Sequence, residues 1–199
     1  MTVKTETLDD ASIKQRGNLI AGLGLSCIAA ALLSGILKGL WELSRPILVD
    51  PQAFASASPA QLWGYGILEI IKSVGFLAGL YGFYLCATKR GIVTKIFMGL
   101  AVLGGLFFAA VWMWMAVTTR LTIVYVLGGM WYQMVAPVAL GIAALFARRV
   151  SWRLGVWAIV LGILNSQIFP LLGPGKAMLA QGVLWLAFGY VVYSLRRRA

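Results

Sequence analysis

The chain of 199 residues is 61% hydrophobic and 12% charged, with mean hydropathy +0.88, whereas soluble domains are about half apolar and about a quarter charged. This composition excludes an ordinary soluble domain and reads as an integral membrane protein. The net charge of +11 comes from basic residues at the ends of apolar runs, which assigns it to topological anchoring and contact with anionic headgroups and leaves no nucleic-acid partner to expect.

Residues 1–16 are polar and of mixed charge, and read as a short cytoplasmic tail. The apolar run 17–41 exceeds the roughly 7–15 residues of a signal-peptide core and is read as the first span. A link over 42–62 follows, containing Pro46, Asp50-Pro51 and Ser58-Pro59, and its first part suits a lid or a surface piece. Ser58, Pro59 and Gln61 match an N-cap, a first-position proline and a capping-box glutamine, so the second span is expected to begin there.

Further apolar stretches cover 63–88, 92–117, 122–147, 153–172 and 175–195, each close to the roughly 20 residues needed to cross a bilayer. Lipid offers no partner to backbone polar groups and nothing alternates like a barrel strand, so each is a helix. The expected fold is all-α: one domain, 17–199, a bundle of six transmembrane helices.

Twelve of the seventeen basic residues lie in the tail, in the links after spans two and four, and at the C-terminus, while the other links hold only Arg45, Arg120 and Lys176. Basic links face the cytoplasm, so both termini are expected inside, with a bacterial cytoplasmic membrane as the expected location. Gly82, Gly141 and Gly189 each stand seven residues before a basic pair, a register compatible with three related helical hairpins. Gly75-xxx-Gly79 has the form of a close-packing helix motif. Pro137 and Pro170 suggest bends, and Trp41, Trp63, Tyr65, Trp112, Trp114, Tyr125, Trp131 and Tyr132 suggest an interfacial aromatic belt. Trp112, Met113, Trp114 and Met115 point all round one helix, however, so some of them touch neighbours and suit a pocket wall.

Glu69 and Lys72 are opposite charges one turn apart in a helix otherwise soluble in lipid. Lys38 and Glu42, also one turn apart, can join them from span one. Counting 1.5 Å per residue from the basic links places Glu69, Lys72, Gln133, Asn165, Gln167 and Gln181 together in the outer half of the bilayer. They are the expected ligand-binding residues of an outward-facing polar pocket, with Lys72 on an anionic group and the amides fixing orientation. The opposing reading makes the same residues polar glue between helices.

No histidine is present, which removes the commonest general base and most metal and haem sites. Cys27 and Cys86 lie inside apolar runs, and no metal or other cofactor is expected. Phosphate-loop, zinc-protease, nucleophile-elbow and dinucleotide motifs are missing, so an enzyme is not favoured; Glu69 is the one candidate acid or base. The expectation is a protein that binds or transports a small amphiphilic or lipid-like molecule, with membrane lipids as further partners. The alternative is a non-catalytic accessory or structural subunit of a membrane complex, and the sequence is also compatible with a homo-oligomer.

Overall fold

The computed structural model describes residues 3–48, 51–88, 91–122, 134–147 and 151–198, with the side chains of 3–11, 166–170 and 197–198 left aside. All elements among the described residues are helical. A single continuous rod opens the chain: α1 (Val3–Ala30), a π-helical segment (Ala31–Leu37) and α2 (Lys38–Ser44). Then come α3 (Pro51–Ala55), α4 (Pro59–Ala87), α5 (Ile92–Thr118), α6 (Ala136–Ala147), α7 (Trp152–Leu172), α8 (Pro174–Ser194) and a terminal 3-10 turn (Leu195–Arg198).

Among the described residues, four helices are long and apolar enough to cross a membrane: Ser12–Ser44, Pro59–Ala87, Ile92–Thr118 and Pro174–Ser194. The apolar stretches Ala136–Ala147 and Trp152–Asn165 belong to two further helices. For the stretch expected over 122–147, residues 123–133 lie outside the described residues, and with them Gln133.

The segment read as a short tail is helical from Val3. Extending an existing helix adds one hydrogen bond per residue without a new nucleus, so the span carries the polar residues along with it. At the other end the rod stops at Ser44, just before Arg45-Pro46, because proline disfavours helical geometry in the residue before it.

The α4 start agrees with its cap signal: the Ser58 hydroxyl oxygen accepts from the Gln61 backbone N–H at 3.2 Å and Pro59 takes the first position. The capping-box role of the Gln61 side chain is not realised. It donates to the Arg45 carbonyl at 3.3 Å, tying the helix start to the link before it. Between α7 and α8, Gly173 at φ +72° supplies a left-handed backbone open to glycine, and Pro174 opens α8. Helix α7 runs through Pro170 to Leu172 without a break.

Helices adjacent in the chain pack side by side from α4 to α8, and both α4 and α8 pack on α1. Close approaches give the directions. Along α1 and α2, Gly17 lies by Arg196, Gly24 by Tyr193, Gly35 by Gly182 and Leu43 by Gly175, so α8 runs antiparallel to the rod. Gly75 and Gly79 meet Ala30 and Cys27, making α4 antiparallel as well. Phe76 stacks on Trp185 with centroids 3.9 Å apart, and Phe83 packs on Phe188 at 5.6 Å, so α4 and α8 run parallel with aromatic rings between them. One end of this arrangement gathers Arg16, Lys95, Arg153 and Arg196, and Arg16 donates to the Leu85 carbonyl at 2.8 Å near the α4 terminus.

The Gly75-xxx-Gly79 motif thus serves a contact within the chain. Gly82, Gly141 and Gly189 are all buried where a neighbouring helix fills the space a Cβ would need. Close packing accounts for each glycine by itself.

The tightest crossing is Gly35 on Gly182, where a Cβ on Gly35 would stand 2.3 Å from the Gly182 Cα. Backbone cannot yield as a side-chain tip can, so Gly35→Val should destabilise the protein by at least about 1–3 kcal/mol, the usual cost of overpacking. At Gly22, where a Cβ meets nothing within 4 Å, Gly22→Ala should be neutral or stabilising by up to about 1 kcal/mol. Thermal unfolding of the two purified variants in detergent checks the contrast.

Candidate functional site

Ser34, Lys38 and Glu42 recur every fourth residue and face α4 across the rod's contact with it. The Ser34 hydroxyl donates to the Leu68 carbonyl. The Lys38 ammonium donates to Glu69 Oε1 and forms an ion pair with it, while Lys72 pairs with Glu69 Oε2 from one turn further along α4. One carboxylate therefore joins two ammonium groups, one from each helix. Lys38 and Glu69 are 0% exposed and Lys72 4%.

Glu42 completes the layer without an ion pair to either lysine. Its Oε1 accepts the backbone N–H groups of Ile47 and Leu48 at 3.1 and 2.8 Å, and Oε2 accepts the Tyr65 hydroxyl at 2.9 Å. Glu42 thereby folds the link back onto the helices.

Aromatic rings enclose the cations. The Lys38 nitrogen lies 4.3 Å from the Trp112 ring centre and 4.8 Å from that of Tyr65, and Lys72 lies 4.9 Å from that of Phe108. Ring faces carry partial negative charge, so these contacts replace part of the hydration the ammonium groups give up. Phe54, from the short α3, meets Trp112 edge-on at 6.2 Å, and Ile47, Leu48, Leu62 and Met115 belong to the same apolar cluster. The link read as a lid is packed into the protein at this point.

Tyr65 and Trp112 are fully buried: Tyr65 holds Glu42 in place of a belt position, and Trp112 touches its neighbours beside Lys38, the other position the sequence allowed it. Trp63 and Trp114, 42% and 50% exposed, keep positions a belt requires.

Among the expected ligand-binding residues, Glu69 and Lys72 meet in one cluster. Asn165 and Gln181 meet at a different interface, where Gln181 donates to the Asn165 carbonyl at 3.3 Å between α7 and α8, both buried. Gln167 belongs to α7, with a side chain outside the described residues, and Gln133 lies outside them altogether. Glu42, Tyr65 and Trp112 belong to the cluster although the sequence reading left them out of the binding set. The signal for Glu42 was its spacing from Lys38; Tyr65 and Trp112 are aromatic residues of a type that also suits a membrane interface, so their type alone says nothing of burial.

Two apolar furrows open elsewhere, between α4 and α5 and between α5 and α6, and neither is lined by Glu69 or Lys72. Groups of three or more residues able to hold a metal are not found among the described residues. The arrangement can neutralise and position an anion, and it can lock two helices together. No protein-family model matches the chain, and neither a curated protein nor a solved structure matches it.

Because Glu69 is shared, its loss strands two buried cations. Glu69→Gln should cost about 3–5 kcal/mol, as when a buried pair loses one partner. Lys72→Met, which leaves the Lys38–Glu69 pair intact, should cost less than half of that. Unfolding midpoints of the two variants in the same detergent check the order.

Proposed function

We propose that this protein crosses the bilayer six times, with both termini on the cytoplasmic side of a bacterial inner membrane, and binds a small amphiphile bearing an anionic group at Lys72. The basic residues gathered at one end support the orientation. The observation that carries the binding reading is the two-to-one pairing of Lys38 and Lys72 with Glu69. Counting Glu42, the formal charges of the layer cancel, yet both Glu42 oxygens are engaged by amides and a hydroxyl. An anion that displaced Glu69 from Lys72 would leave Glu69 paired with Lys38 and give every buried charge its own partner. Gln133, Asn165, Gln167 and Gln181 belong to this proposal as amides on the neighbouring spans, Gln181 and Asn165 joined to each other at the α7–α8 interface rather than to the charged cluster. Transport is the extension of the same reading in which the bound amphiphile leaves on the other side.

An acid or base role for Glu69 has less support, since a lysine holds each of its oxygens. The accessory or structural reading has one observation in its favour: Phe54 and Trp112 seal the cluster, as a purely structural lock would require.

Dodecyl phosphate added to protein in a neutral detergent should raise the unfolding midpoint of the wild type by roughly 5–10 °C at about a hundredfold of its Kd. Dodecyltrimethylammonium should not, and the gain should vanish in Lys72→Met. Equal responses to the two amphiphiles would favour the structural lock.

A further inference from the structure

The furrow between α4 and α5 holds about 540 Å³, within the roughly 300–1,000 Å³ of ligand sites. Its floor and walls are Leu77, Ala78, Met98, Gly99 and Val102. The antiparallel run of the two helices places Tyr81, Tyr84 and Lys95 together at its other end, the end where the basic residues gather. Lys95 stands roughly 20 Å along α5 from Phe108, the ring beside Lys72, so the furrow is separate from the buried cluster.

We infer that this furrow is a binding site for an anionic phospholipid, one acyl chain lying along α4 and α5 and the phosphate meeting Lys95. An apolar furrow open to the bilayer is filled by a lipid chain in any case, so what the protein decides is the headgroup. Lys95 is exposed, and its ammonium has no ion pair or hydrogen bond with a described residue. A free ammonium at the mouth of an apolar furrow complements a phosphate carrying net negative charge, as a cation at a membrane surface does. Tyr81, 42% exposed, and Tyr84 stack with centroids 6.0 Å apart beside it and present amphipathic rings of the kind that settle at headgroup level. Gly99 makes room for the chain: a Cβ there would meet nothing within 4 Å.

The neighbouring furrow between α5 and α6, about 610 Å³, provides an internal control: its lining includes Ile92, Val93, Phe97, Ile142, Ala143 and Phe146, and among the described residues no charged one lines it. It offers volume without a headgroup contact.

The test is native mass spectrometry of protein purified in neutral detergent and supplied with equal amounts of phosphatidylglycerol and phosphatidylcholine bearing the same chains. The wild type is expected to retain phosphatidylglycerol preferentially. Lys95→Gln should lower that preference about fivefold, the factor carried by one lysine near a membrane surface. Gly99→Leu should remove one retained lipid by filling the furrow, while Ala143→Leu, which narrows the control furrow, should leave the preference unchanged. All three positions are at least partly exposed, and unfolding midpoints measured alongside report on folding. Retention in the supplied proportion by the wild type, an unchanged preference in Lys95→Gln, or undiminished retention in Gly99→Leu would each overturn the proposal.

Discussion

A carboxylate taken out of water must be neutralised, and Glu69 meets this constraint by binding a lysine from each of two helices. In lipid surroundings no solvent is at hand to substitute for a missing partner, so the geometry of the rod formed by α1 and α2 relative to α4 is held to the one register in which Lys38 reaches Glu69. Glu42 and Tyr65 repeat the same join one turn further on, and through Glu42 the link that follows is drawn in until Phe54 lies against Trp112. The charges, the aromatic shell and the folded link form one unit.

That register depends on how closely the helices approach. The rod packs on both α4 and α8 through glycines, with Gly35 on Gly182 and Gly75 on Ala30 as the tight points. The π-helical turn Ala31–Leu37 spans the Gly35 crossing and ends next to Lys38. Wider turns of this kind are frequent at functional sites. Here it lets a single helix present small residues to α8 and the Ser34, Lys38 and Glu42 stripe to α4. Packing and charge pairing thus use different faces of the same rod.

The four long apolar helices among the described residues were legible in the sequence because lipid exposure demands long apolar runs, and the Ser58-Pro59 start of α4 was legible because caps use few residue types. The pairing of Glu69 with Lys72 was equally visible, being local to one helix. What the sequence did not contain was the long-range geometry. That Lys38 meets Glu69 31 residues away, that Tyr65 is buried, and that Trp112 rather than Trp114 turns inward, depends on which helix faces which. Nor did the sequence distinguish a tail from a helix at Val3, since polar residues beside a strong helix adopt its geometry at little cost. Asn165 and Gln181 were placed at a common depth by counting turns and do meet, but across the α7–α8 interface.

The most direct test of the shared carboxylate is a solid-state nuclear magnetic resonance experiment in lipid bilayers, with lysine side-chain nitrogen and glutamate carboxyl carbon labelled. Lys38 and Lys72 should both show direct dipolar contact with the Glu69 carboxyl, and Glu69→Gln should abolish or weaken both signals together. A Glu69 carboxyl in contact with Lys72 alone, with Lys38 elsewhere, would contradict the account, since the ion pair that joins the rod to α4 would then be absent.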